Sequence, residues 1–276
     1  MKRNWPEGKH VAVLFTIMFE GWEEGAAPGV GPMGNALKPG YYDTANAGWA
    51  KYAANNGLER QLKILKEEEI KASVFCSGVQ MERHPDLIKK IASEGHEVCL
   101  HSLAQNIIPI YLDEATEREQ MSHCLDLAVS LTGKHPVGYC SPRCTPSLST
   151  SKLLAENGLK YTIDWMGSDL PMVEHTEAGD ICLMPFPMNV NDMPLYVRYG
   201  NAPDQYYKNL VDEFENWYAK HPEEKVVYWI TAHSHVFGRP FGAVQFQRCI
   251  QYIKSLPYVW IAQPHEVAST VLDVTY

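Results

Sequence analysis

Short runs of β-branched and apolar residues alternate along this chain with segments whose apolar positions recur at helical spacing. The runs Val11–Ile17, Ala72–Cys76, Glu97–Leu100, Val137–Cys140, Lys160–Ile163, Ile181–Pro185, Val226–Ala232 and Tyr258–Ala262 predict strands. Helices are predicted between them over Leu58–Glu69, Pro85–Ser93, Glu114–Leu131, Ser147–Gly158, Gln205–Lys220 and Val244–Ser255. In Glu114–Leu131, the residues Met121, Leu125, Ala128 and Leu131 fall largely on one side, and Gly133 supplies the stop. Strands alternating with helices of this length predict parallel pairing through right-handed crossovers. About seven or eight such units favour an α/β barrel over an open sheet. No composition break or internal repeat divides the sequence, so residues 1–276 read as a single barrel domain.

One stretch has no period. Gly21–Gly57 is rich in Gly, Pro and Asn and follows the first strand directly, which predicts a long active-site loop. It contains Gly29-Val30-Gly31-Pro32-Met33-Gly34, a literal GxGxxG. No helical pattern starts there, and Pro32 sits inside the turn, so it reads as a glycine loop and not as a dinucleotide fingerprint. Trp22, Tyr41, Tyr42 and Trp49 lie in the same stretch. They either pack a large loop or form a lid over a planar ring, in which case Trp22 touches substrate.

Charge and composition narrow the function. The chain carries 24 Lys and Arg against 33 Asp and Glu, for a net charge of −9. That argues against nucleic acid and anionic membranes as partners. Its N-terminus lacks an apolar signal segment and no apolar run is long enough to span a bilayer, so a cytoplasmic protein is expected. Seven cysteines are present without a CxxC pair, which argues for reduced thiols; Cys140 and Cys144, flanking Ser-Pro-Arg, are expected to be dispensable for activity.

In such barrels the chemistry sits where strands end. The predicted strands run out into Phe19-Glu20-Gly21, His101-Ser102, Ser141-Pro142-Arg143, Ser168-Asp169-Leu170-Pro171, Asn191-Asp192-Met193 and His233-Ser234-His235. Glu20, His101 and His233 are the candidate catalytic residues; Arg143, Asp169, Asn191 and His235 are candidate substrate contacts. Amide hydrolysis needs such a set: a base to deprotonate water, an acid for the leaving nitrogen, and a cation or donor for the oxyanion. Each residue alone is as readily structural, and it is their agreement across strand ends that favours a site.

These residues fall into a known pattern. Phe15 to Gly21, Gly95 to His101, and Leu131 to Tyr139 resemble three successive motifs of the polysaccharide-deacetylase superfamily. Tyr111 to Glu119, Ser168-Asp169-Leu170-Pro171, Asn191-Asp192-Met193 and His233 followed by Gly238-Arg239-Pro240 resemble its allantoinase and cyclic-imide hydrolase branch. The resemblance implies a distorted (β/α)7 barrel, a hydrolase of C–N bonds other than peptide bonds, a small-molecule substrate and a homo-oligomer, dimer or tetramer.

Against the superfamily's Asp-His-His metal triad, this sequence places Glu20, His101 and Gln105; Phe19 replaces the usual catalytic Asp. Gln is a poor zinc ligand, so Gln105 is expected to contact substrate and no metal ligand is assigned, although a divalent metal such as zinc at Glu20 and His101 stays open. Gln105 and His235 also depart from the allantoinase branch, which expects an aromatic residue and Arg there. The expected activity is the opening of a cyclic amide, imide or ureide. The alternatives are a metal-dependent N-deacetylase of an acetylated sugar and a barrel that binds without catalysing.

Overall fold

Ten strands form one sheet in the computed structural model, which describes residues 5–27, 37–38 and 40–272. They are β1 (Val11–Phe19), β2 (Ser73–Cys76), β3 (Glu97–Leu100), β4 (Gly138–Tyr139), β5 (Tyr161–Trp165), β6 (Met172–Thr176), β7 (Gly179–Pro185), β8 (Val190–Asn191), β9 (Val226–His233) and β10 (Val259–Ala262). Their spatial order is β6-β7-β5-β4-β3-β2-β1-β9-β8, with β10 also pairing β1. All pairings are parallel except β6 with β7. The sheet curls into the incomplete (β/α) barrel that the alternation predicts. The Gly29–Gly34 motif lies outside the described residues.

β1 is the hub. Val11–Leu14 pair β10, Thr16–Phe19 pair β2, and Val11–Met18 pair β9 along the other edge. All nine of its residues are buried. A strand covered on both faces reads as a continuous apolar run without alternation, which is the character of VAVLFTIMF. β9 is buried along its whole length as well.

The predicted helices recur, Pro85–Ser93 with the same ends and the others with shifted ones: Leu58–Glu67, Glu114–Thr132, Thr150–Glu156, Gln205–Glu213 and Pro240–Lys254. Glu114–Thr132 starts at Asp113, whose carboxylate accepts from the Thr116 N–H at 2.8 Å, and stops at left-handed Gly133. It buries Met121, Cys124, Leu125 and Ala128 together with Glu117.

The aperiodic reading of Gly21–Gly57 is corrected. The segment holds a helix at Thr44–Tyr52 that continues through a wider turn at Ala53–Gly57. Its buried positions are Asn46, Trp49, Ala53 and Gly57. They have helical spacing, but an amide, an alanine and a glycine carry little hydrophobic signal. Asp43 caps the helix by accepting from the Asn46 N–H at 2.9 Å. Also unpredicted are β6, β8 and the helices Gly78–Arg83 and Pro264–Leu272. β6 is a partly exposed antiparallel return on β7, and the others are too short or too mixed to show a period.

The Ala53–Gly57 turn packs backbone to backbone on the turn after β9. A Cβ on Gly57 would lie 1.8 Å from the Ser234 carbonyl oxygen, and one on Gly238 would lie 2.1 Å from that oxygen. Overpacking of this kind costs about 1–3 kcal/mol. Gly57→Ala is therefore expected to lower the melting temperature by several degrees. Gly48→Ala, in the same helix with nothing within 4 Å of its added Cβ, is expected to hold or raise it. Equal effects in thermal denaturation would overturn this account of the contact.

Candidate active site

β1 delivers Glu20 to the barrel mouth. Three backbone bonds fix the neighbouring strand ends there: Ser77 N to Phe19 O at 3.3 Å, His101 N to Cys76 O at 3.0 Å and Ser234 N to Met18 O at 3.0 Å. Glu20 is only 7% exposed. Its Oε1 lies 3.3 Å from His101 Nε2 and 3.6 Å from His233 Nε2, and its Oε2 lies 3.7 Å from His235 Nε2. Burial alone would push this carboxyl up, but His233 above all, with His101 and His235, outweighs burial and holds it well below the usual range.

The three imidazoles differ in their second partner. His233 Nδ1 bonds Asp192 Oδ1 at 2.6 Å. Asp192 is fully buried, and its Oδ2 accepts from the backbone N–H of His233 at 2.9 Å and of Phe237 at 3.0 Å. Burial opposes charge on His233, yet Asp192 and then Glu20 prevail and raise it to about 10. His101 Nδ1 bonds the Cys140 carbonyl at 2.7 Å. A carbonyl only accepts, so Nδ1 carries a proton and Nε2 is the nitrogen turned to Glu20. Among the described residues, His235 has no hydrogen-bond partner on either nitrogen. It is enclosed by the edges of Trp49 and Trp22 at centroid distances of 4.3 and 5.3 Å. Burial lowers it to about 3, so it stays neutral.

A cavity of about 1610 Å³ opens over Glu20, and Trp22, His101, Gln105, Arg143, Asn191 and His233 line it. Gln105 donates to Ser77 Oγ at 3.2 Å, and the Asn191 side-chain oxygen accepts from Met193 N at 2.9 Å. Arg143 has a left-handed backbone, φ 60°, in the turn after β4.

Two expected contacts do not reach the cavity. His235 lies behind Trp22 and Trp49, fully buried; β9 ends at His233, and the turn that follows carries His235 inward beneath them. Asp169 is exposed, and its carbonyl accepts from Val227 N at 3.3 Å. Val227 sits six residues before His233 on β9, about 20 Å away at strand rise. The fifth strand was ended two residues early, at Ile163, and the contact was sought too far beyond it: the acid near the site is Asp164 in β5, whose two oxygens each accept from Ser141 N at 3.0 Å. Burial pushes Asp164 up to about 6.

Asp192, which bonds His233, was not among the candidate contacts. Its signal was its place beside Asn191 in the motif already singled out. Of that motif Asn191 was named as a contact, whereas Asp192, just after β8, is the residue whose carboxylate bonds His233.

The donor set around Glu20 does not fit a zinc shell of three protein ligands. Gln105 is committed to Ser77. Among the described residues, the one set of three His, Cys, Asp or Glu donors with ligating atoms within 4.8 Å of one another is Cys140, Cys144 and Asp164. Chemically, the Glu20 corner offers an ionised carboxylate beside a held imidazolium, which is a base and an acid side by side.

The polysaccharide deacetylase family model matches residues 40–162. A peptidoglycan deacetylase of Helicobacter pylori is 24% identical over 254 residues, covering 80% of this chain and 85% of that protein. Two further curated relatives are spanned over only 48% and 49% of their length. Among solved structures, a probable polysaccharide deacetylase from Pseudomonas aeruginosa PAO1 superposes with TM-score 0.86 at 26% identity, covering 97% of this chain and 93% of that one. The PuuE allantoinase superposes with TM-score 0.84 at 27% identity, covering 97% and 92%. A family model, a curated relative and near-complete structural matches thus agree in making this chain similar to polysaccharide deacetylases.

Proposed function

We propose that this hydrolase opens a small cyclic amide, imide or ureide by adding water across its C–N bond. The observation that carries the reading is the Asp192–His233–Glu20 arrangement, with His101 on the other side of the same carboxylate. Two adjacent groups with protonation pushed in opposite directions mark the base and the acid. Glu20, ionised, takes a proton from water as the water oxygen attacks the ring carbonyl. His233, held as imidazolium by Asp192, gives its proton to the leaving ring nitrogen. The carbonyl carbon ends as a carboxylic acid that loses its proton, and the nitrogen ends as the other arm of the opened chain.

His101 has a separate role. Its Nδ1 is fixed by the Cys140 carbonyl, which leaves Nε2 to position water or the carbonyl oxygen beside Glu20. Asp164 acts at one remove: by holding Ser141 N it fixes the segment whose Cys140 carbonyl orients His101. Arg143, Gln105, Asn191 and Trp22 would line the substrate's path. Support for the ring-opening reading comes from the similarity to the PuuE allantoinase and from the poor fit of the Glu20 corner to a metal shell.

The second reading is N-deacetylation of an acetylated sugar, which the similarity to a peptidoglycan deacetylase favours. Elemental analysis of the pure protein separates the two. Stoichiometric zinc, with activity on an acetamidosugar lost on chelation, would replace the first reading by the second.

On a panel of cyclic imides, ureides and acetamides, the wild type is expected to turn over at least one ring substrate. Glu20→Gln and His233→Ala are each expected to lower kcat by about 10²–10⁴-fold. If wild type and both variants are equally inert throughout, the enzyme reading fails.

A pH profile tests the acid separately. His233 must be protonated to act, and its protonation persists to about 10. Activity is therefore expected to be level through neutral pH and to fall as pH rises through about 10. Asp192→Asn removes the charge that raises His233, so the alkaline limb is expected to move down by at least about one pH unit, with lower activity at neutral pH. An unmoved limb would remove His233 from the acid's role.

A further inference from the structure

The cavity wall carries more positive charge than the chemistry at Glu20 uses. Arg143, Arg198 and Arg239 line it, and Glu20 is the one carboxylate among the described residues that does. That carboxylate already faces His233 at 3.6 Å. Among the described residues, the arginine ion pairs belong to Arg118 alone, which bridges Glu114 and Glu156. The three cavity arginines therefore present guanidinium charge that no carboxylate among the described residues pairs. This occurs in a chain of net charge −9, where acidic partners are abundant elsewhere on the surface.

The placement of these arginines is specific. The Arg239 guanidinium lies over the ring of Tyr52, 3.9 Å from its centroid. Such stacking fixes a guanidinium in place without cancelling its charge or using its N–H donors edge-on. Arg239 is also the N-cap residue of the 15-residue helix Pro240–Lys254, and Phe241 of that helix's first turn lines the same wall. The positive end of a helix dipole thus adds to the field at this side of the cavity. Arg198 closes the segment Met193–Arg198, is exposed, and lines the cavity. A volume of about 1610 Å³ exceeds the roughly 300–1,000 Å³ usual for small-ligand sites, so a ring seated at Glu20 leaves room for a substituent.

We propose that the cavity selects a ring substrate bearing a carboxylate, with its amide at Glu20 and His233 and its carboxylate received by Arg198 and Arg239. The proposal names the substrate class of the ring-opening reading and rests on it. Guanidinium forks bind carboxylates through paired N–H donors, and a neutral ring leaves those donors without a partner.

Binding tests this independently of turnover. Full-length Glu20→Gln protein is titrated calorimetrically with hydantoin-5-acetate, with its neutral amide hydantoin-5-acetamide, and with the corresponding methylphosphonate. The carboxylate is expected to bind at least about tenfold more tightly than the amide, with an advantage that shrinks as NaCl rises. Arg198→Gln and Arg239→Gln in that background are each expected to weaken the carboxylate about tenfold and to leave the amide unchanged; Arg239→Lys is expected to recover part of the loss. Arg198 is exposed, so its variant remains informative if Arg239→Gln misfolds. Equal affinity for carboxylate and amide, or a carboxylate affinity unmoved in both glutamine variants, overturns the proposal. Tighter binding of the phosphonate overturns the assignment to carboxylate. If no ring is turned over by the wild type while carboxylate binding stays arginine-dependent, the ring-opening reading fails and the anion subsite stands. If rings are opened without preference for the carboxylate, the reverse holds.

Discussion

A carboxylate at the end of a strand that is buried on both faces needs positive charge brought to it. Glu20 follows β1 directly, with 7% of its surface exposed, and an unpaired ionised carboxylate in such a place would protonate instead. The fold compensates it with imidazoles from two other strand ends and the turn after β9. Those imidazoles then need partners of their own. Asp192 leaves β8 to hold His233, and the Cys140 carbonyl after β4 holds His101. The mouth of the barrel is a chain of such compensations, each supplied by a different strand end.

This dependence explains which parts were legible in sequence. β1, β2, β3, β7 and β9 are apolar runs whose C-terminal residues can be named directly, so Glu20, His101 and His233 follow from strand ends alone. β5 ends in Asp164-Trp165, and the polar stretch after it carries a more conspicuous Asp169. Sequence alone does not distinguish a strand's last acid from the first acid of the loop beyond, and the choice fell on the wrong one. β8 is two residues long. Strand parity cannot tell there whether Asn191 or Asp192 turns inward, because a turn and not a strand sets the direction. The helix at Thr44–Tyr52 was hidden for another reason: its inward face is built from Asn46, Trp49 and, one turn on, Ala53. Small residues allow the close approach of Gly57 to Ser234, and smallness removes the hydrophobic period that marks a helix.

The departures from the deacetylase metal triad meet at one carboxylate. Gln105 turns to Ser77, so the position of the second metal histidine no longer addresses Glu20. The same carboxylate is instead surrounded by His101, His233 and His235. A carboxylate compensated by imidazolium works as a proton acceptor beside a proton donor, whereas one compensated by a metal works as a ligand. In this chain Glu20 thus faces imidazoles, while Gln105 faces Ser77.

His235 shows that this compensation has a limit. It stands 3.7 Å from Glu20 Oε2, but Trp22 and Trp49 keep water from it and its nitrogens have no partner. Burial therefore keeps it neutral, lowered to about 3, while His233 at a similar distance is raised to about 10 because Asp192 stands behind it. Their contributions to stability have opposite signs with pH. The raised His233 contributes stability that is complete below its ordinary 6.5 and lost as pH rises through about 10. The lowered His235 withholds a proton that the unfolded chain binds below 6.5, so it costs stability progressively as pH falls toward about 3. Glu20, held well below its usual range, adds stability above its ordinary 4.5 that is lost as pH falls through its folded value. Two imidazoles two residues apart in sequence are thus set to opposite charge states: Asp192 and Glu20 raise His233 against burial, while burial, with His233 and Arg239 nearby, keeps His235 neutral. Proximity to Glu20 alone therefore does not set the charge of either histidine; the Asp192 carboxylate behind His233 has no counterpart among the described residues at His235.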